Sequence, residues 1–162
     1  KLEKTNEKII ITYLKKRYKV IVVSSAISGE TNKLVKLTKK ISTSFSPSEY
    51  DSIVATGEQV SCSLIAGRLN DQGYLSRSWL GWQVPIFTVG KHSHSRIVNI
   101  NKKNILKFLR KGGTPIITGF QGINSENRIT TIGRGRSDDS AIMIDKFLKA
   151  KKLKNNINFK EI

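Results

Sequence analysis

The chain alternates β-branched runs with stretches of helical period. Residues 2–15 set Leu2, Ile9, Ile10, Tyr13 and Leu14 among charges, which predicts an amphipathic helix. Residues 20–23 are a continuous β-branched run between charge and Ser24-Ser25, the pattern of a strand buried on both faces and so of a parallel sheet. A loop, Ser28-Gly29-Glu30-Thr31-Asn32, leads into Leu34, Val35, Leu37 and Ile41 at helical spacing, and the polar stretch 42–48 with Pro47 ends that helix. Ile53, Val54, Val60, Leu64, Ile65 and Leu69 then predict one long helix over 49–70, with Gly57 inside it.

Downstream, residues 75–80 and 86–89 read as strands around Gly81-Trp82-Gln83, and 101–110 as a short helix closed by Gly112-Gly113. Residues 114–118 form another buried strand, 129–132 the end of a strand, and Ala141, Ile142, Ile144, Phe147 and Leu148 a final helix. Strands alternate with helices and nothing repeats. The expected fold is α/β, a three-layer αβα sandwich with a mostly parallel sheet, whose ligands bind at the carboxyl ends of the strands. The polar loops 25–32, 119–122 and 133–138, with the patch Thr56-Gly57-Glu58-Gln59, are expected to converge on one pocket.

Composition refines this picture. At 162 residues and 38% hydrophobic, the chain has enough material for one domain with a core, expected over 1–150, followed by a basic tail over 151–162. The net charge of +17 raises nucleic acid as a partner. However, Lys33, Lys36, Lys39 and Lys40 occupy helix exteriors instead of gathering with aromatics, so a solvated surface is expected and nucleic-acid binding is not. The single cysteine, Cys62, fits a core thiol in a reducing compartment. Lys15-Lys16-Arg17 interrupts the apolar region 9–27, which excludes a membrane span or signal segment there and makes the cytoplasm the expected location, with no membrane partner. His92 and His94 in KHSHSR read as an exposed loop with no acidic partner nearby, so no metal site is expected.

The stretch TIGRGRSDDSAIMI, 131–144, places glycines before a helix start, with Ser137 and Asp138 where the N-cap belongs. Unpaired N–H groups, the positive dipole end and close backbone approach make this an anion site, unless it is an ordinary capped helix with Arg134 and Asp138 paired in solvent. It lacks the later spacing and final glycine of a dinucleotide fingerprint.

VVSSAISGETNKLV, ATGEQVS, GWQV, ITGFQG and ITTIGRGRSD occur in the order, and at about the spacing, of the aspartokinases, which the chain resembles from about Lys19 to about Ala150. The resemblance implies the substrate-binding half of an amino acid kinase fold, and transfer of the ATP γ-phosphoryl group, with Mg²⁺, to the side-chain carboxylate of L-aspartate towards lysine, threonine and methionine. A carboxylate is already a nucleophile, so such a site needs positioning and charge neutralisation rather than a general base. Arg134 would pair bidentately with the substrate α-carboxylate, and Glu58 and Asp138 would accept its α-ammonium. Arg134 and Asp138 are thereby the expected catalytic pair. Ser25 and Thr31 would orient the substrate carboxylates, and Ser137, Gly133 and Gly135 would turn N–H groups towards substrate or phosphate. L-Aspartate and ATP are the expected partners, with a homodimer among the assemblies the resemblance offers.

The match also has gaps. Nothing before Lys19 resembles the family's K-F-G-G-T-S phosphate loop, its nucleotide-binding half and ACT domains have no counterpart after Ala150, and Arg136 stands where the family has glycine. This chain by itself is therefore expected to be a weak or inactive kinase. The alternatives are a non-catalytic remnant that binds a small amino acid or a partner subunit, and a basic nucleic-acid-binding module.

Overall fold

A computed structural model describes residues 4–133 and 137–148, with the backbone alone for 4–6, 137–139 and 148. In chain order the elements are α1 (Lys4–Lys15), β1 (Val22–Ser24), α2 (Glu30–Ile41), α3 (Pro47–Val54), α4 (Thr56–Asp71), β2 (Ser76–Trp79), β3 (Ile86–Val89), β4 (Arg96–Ile100), α5 (Lys103–Arg110), β5 (Thr114–Thr118), β6 (Gln121–Ile123), β7 (Ile129–Thr131) and α6 (Ser137–Leu148). The α/β expectation holds. A three-stranded sheet runs β1-β5-β2 with every pairing parallel, in the register Val22 to Ile116 and Ser78 to Ile116. Every residue of β5 is buried, as a central strand covered on both faces must be.

Alternation along β5 divides the core. Ile116 joins Ile10, Val22, Cys62, Ala66 and Leu69 under α1 and α4, while Ile117 joins Val54, Trp79, Ile105, Leu109 and Ile144 on the opposite side. Period-two side chains thus turn one strand into the middle layer of three. The second sheet, β4-β3-β6-β7, mixes directions: β3–β4 and β6–β7 are antiparallel and β3–β6 is parallel. Among the described residues no helix is long and apolar enough to cross a membrane.

Three elements depart from the sequence reading. The helix expected over 49–70 is broken at Ala55, whose carbonyl accepts a bond from Gln121 Nε2 at 2.9 Å, while the Thr56 hydroxyl turns back to the Ile53 carbonyl at 2.7 Å. Tertiary and side-chain bonds there replace the continuing helical ladder. β4 pairs where no strand was expected, and β6 occupies part of the loop expected at 119–122. At the end of α5, Gly112 takes φ 82, and a Cβ on Gly113 would come within 2.4 Å of the Phe108 ring, which explains the glycine pair that closes it.

Ile117→Ala is expected to cost about 2–5 kcal/mol, because it empties a wholly buried position at the layer junction. Ile41→Ala, at a side chain 79% exposed, is expected to stay within about 0.5 kcal/mol. Urea unfolding of both variants measures the contrast.

Candidate functional site

The site grows from the carboxyl ends of β1 and β5, the two neighbouring parallel strands. The Gly119 N–H donates to the Ser24 carbonyl at 2.9 Å, holding the two strand ends together as the chain leaves them. After β1 the chain over 25–31, a loop and the first residues of α2, runs across the start of α4. Ala26 N–H donates to Glu58 Oε1 at 3.1 Å, and Ser61 Oγ lies 2.6 Å from the Ser25 carbonyl. A side chain at position 57 would collide with this loop, since an added Cβ would sit 2.8 Å from Ala26 Cβ and 3.9 Å from Thr31 Oγ1. Glycine is what lets loop and helix touch. Of the expected site residues, Ser25, Thr31 and Glu58 therefore meet in one place, with Ser25 and Thr31 half-buried.

Glu58 is the electrostatic anomaly of that place. It is 3% exposed, and its Oε2 has no hydrogen-bond partner among the described residues. Loss of water pushes its carboxyl up to about 7, against the opposite pull of the Ala26 N–H. Buried carboxylates without a partner are costly, and perturbed ones gather at functional sites. Cys62, one turn further on, is wholly buried, and desolvation followed by the nearby Glu58 charge pushes its thiol up, which suits a packed thiol rather than a nucleophile.

A second constrained segment follows β5. Phe120 takes φ 65, a left-handed conformation rare for a bulky residue, and is held there at both ends: its N–H donates to Ser140 Oγ at 2.9 Å and its carbonyl accepts from Ile132 N–H at 3.0 Å. Those bonds draw the start of α6 and the end of β7 to the same strand end. Gly133 is buried with φ 92, and α6 begins at Ser137. Arg134 and Gly135 lie outside the described residues, as do the side chains of Ser137 and Asp138.

Sequence reasoning placed Phe120 and Gln121 only as part of a polar loop, and it missed Asp51. The loop carrying His92 does have an acidic partner, contrary to expectation. Asp51, wholly buried on α3, accepts from His92 Nδ1 at 2.8 Å, from Ser93 N–H at 2.9 Å and from Thr131 Oγ1 at 2.7 Å. The partner was invisible because it comes from a distant helix, and a lone aspartate before an apolar run gives no local signal. Beside this cluster a cleft of about 660 Å³ opens between α2, α3 and the β3–β4 connection, bounded by Thr38, Tyr50, His94, Phe120 and Thr131.

The sequence matches the amino acid kinase family over residues 7–155. It is 42% identical to the aspartokinase of Geobacillus stearothermophilus over 143 residues, 88% of this chain and 35% of that protein. It is 43% identical to the aspartokinase of Rickettsia conorii over 145 residues, 88% of this chain and 36% of that one. The chain thus spans about a third of the length of these relatives. Its fold superposes on the crystal structure of E. coli aspartokinase III in complex with aspartate and ADP with a TM-score of 0.79, at 20% identity, over 91% of this chain and 43% of that one. By fold and by sequence, the chain belongs to the amino acid kinase family.

Proposed function

We propose that this chain is the aspartate-gripping part of an aspartokinase, and that it holds L-aspartate while its side-chain carboxylate takes the γ-phosphoryl group of ATP. The observation that carries this reading is the Glu58 carboxyl, buried behind Ala26 with Oε2 unpartnered among the described residues. A buried carboxylate in that state is complementary to an ammonium group, and the relatives that share this sequence are aspartokinases, one of them solved with aspartate and ADP.

In this reading Glu58 and Asp138 take the α-ammonium, Arg134 clamps the α-carboxylate, and Ser25 and Thr31 orient the carboxylates. Catalysis then consists of holding the nucleophilic carboxylate in line and offsetting charge, with no base required. Gly133 in the left-handed region and the first turn of the twelve-residue α6 fit an anionic phosphate, because a helix start presents unpaired N–H groups. Gly133, Gly135 and Ser137 would face it; MgATP supplies the transferred group. The cytoplasm, where such a biosynthetic step belongs, is the proposed location, and a homodimer the proposed assembly.

Two expected outcomes test this. The first concerns Glu58 alone. Its folded value is raised from 4.5 to about 7, so the folded state holds the extra proton within that window and stability falls as pH rises through it, by about 3 kcal/mol in total. Glu58→Gln is therefore expected to melt close to the native chain at pH 5 and above it at pH 8, as thermal unfolding would show.

The second concerns the ligand. An ammonium beside Glu58 favours its carboxylate, so L-aspartate binding below pH 7 expels a proton, which calorimetry in buffers of differing ionisation enthalpy detects. Succinate, which lacks the ammonium, is expected to bind at least about tenfold more weakly. Absence of saturable aspartate binding, or equal binding of succinate, removes the proposal.

A further inference from the structure

The cleft of about 660 Å³ between α2, α3 and the β3–β4 connection has no role in the reading above, and its lining includes none of Ser25, Thr31 and Glu58. The buried and the exposed parts of that lining differ in chemistry. Val35 and Phe120 are buried, and Phe45 and Tyr50 are half-buried. The hydroxyls among the buried and half-buried residues are matched by the protein itself. Thr38 Oγ1 donates to the Val35 carbonyl at 2.9 Å, and Asp51 Oδ1 accepts from Ser93 Oγ at 2.8 Å and from Thr131 Oγ1 at 2.7 Å. These side chains therefore leave mainly carbon to face a ligand.

The rim is the reverse. Lys39 on α2, Thr43 just beyond it and His94 in the β3–β4 connection are exposed, and none of the three side chains makes a hydrogen bond or ion pair among the described residues. Lys39 carries a positive charge, and the His94 ring offers a donor in either tautomer. No carboxylate lines the cleft among the described residues. The acids of the adjacent α3 are already engaged: Asp51 by five donors, and Glu49 by its ion pair with Arg128. Sites for small molecules have this composition, an apolar lining with a few polar groups, in volumes of about 300–1,000 Å³.

We propose that this cleft binds a small aromatic monocarboxylate, its ring against Phe45, Tyr50 and Phe120 and its charge drawn by Lys39 and His94. Aromatic walls favour a ring over an aliphatic chain, since offset and edge-on ring pairs gain more than burial of the same area. One lysine and one imidazole match a single negative charge. An ammonium finds no partner in this lining, so the cleft selects against the zwitterions that the Glu58 carboxyl would favour.

Calorimetry on the full chain tests this with 3-phenylpropionate as the probe. Saturable binding at one site per chain is expected. Propionate, which lacks the ring, and 3-phenylpropanol, which lacks the charge, are each expected to bind at least about tenfold more weakly, and L-phenylalanine severalfold more weakly. Lys39→Gln and His94→Gln alter exposed side chains without fold contacts among the described residues, and each is expected to lose affinity severalfold. Lys107→Gln, at an exposed lysine of α5 outside the cleft, is expected to lose none. No saturable binding, equal binding of the alcohol, unchanged affinity in both rim variants, an equal loss in Lys107→Gln, or displacement of the probe by L-aspartate overturns the proposal. None of these outcomes bears on whether the Glu58 site takes aspartate, except that displacement places both ligands there.

Discussion

Seating the Glu58 carboxyl on the amide of Ala26 requires α4 to begin directly beneath the end of β1, and three features make that approach possible. Gly57 has no Cβ to strike Ala26, the helix restarts at Thr56 after the break at Ala55, and Ser61 secures the loop from one turn further along. Remove the approach and the carboxyl returns to water, its elevated value falls away, and the strand ends face an ordinary loop. The unfavourable burial of Glu58 is therefore the constraint to which the local backbone is fitted. Such a group is tolerable in a marginally stable domain only when the surrounding packing over-determines its position. Here that packing is the Ile116 cluster under α4, where Cys62, Ala66 and Leu69 are buried from the same helix.

Phe120 supplies a second constraint, at the end of β5. A bulky residue with φ 65 carries strain, and it persists because Ser140 and Ile132 bind its N–H and carbonyl from two other elements. Its neighbour Gln121 is pinned to Ala55 while its Oε1 has no partner among the described residues. Phe120 and the unmatched oxygens of Glu58 and Gln121 thus lie near the carboxyl ends of β1 and β5, whereas the middle of β5 is apolar and close-packed. This is the division expected when one end of a sheet carries chemistry and the remainder provides rigidity.

Much of the fold was legible in the sequence, for identifiable reasons. The strand at 114–118 announced itself as a buried apolar run and became β5, and the glycine pair at 112–113 marked the end of α5 correctly. The long helix was wrong because hydrophobic period is insensitive to a break at one residue, and the bond that makes the break comes from Gln121, distant in sequence. β4 escaped notice because Arg96, Val98 and Asn99 are exposed and only Ile97 and Ile100 are buried, too little alternation to announce a strand. Within the site, Ser25, Thr31 and Glu58 were readable through motif order, and the structure gathers them. Asp51 was not, since its meaning lies wholly in partners from the β3–β4 connection and β7.

The charge of the chain bears on the same division. Lysines dominate the exterior, with Lys33, Lys36, Lys39 and Lys40 all exposed on α2, yet Glu58 and Asp51, both acids, are buried. These two acids are satisfied in opposite ways. Asp51 is matched within the fold by five donors, so its charge holds the framework together. Glu58 accepts from the Ala26 N–H and keeps an oxygen without a partner among the described residues, so its charge has something still to gain. A buried carboxylate already matched by its own fold has little affinity left for a cation; an incompletely matched one retains it. That contrast, between acids fewer than ten residues apart on successive helices, separates a group matched within the fold from a group left with an unmatched oxygen among the described residues.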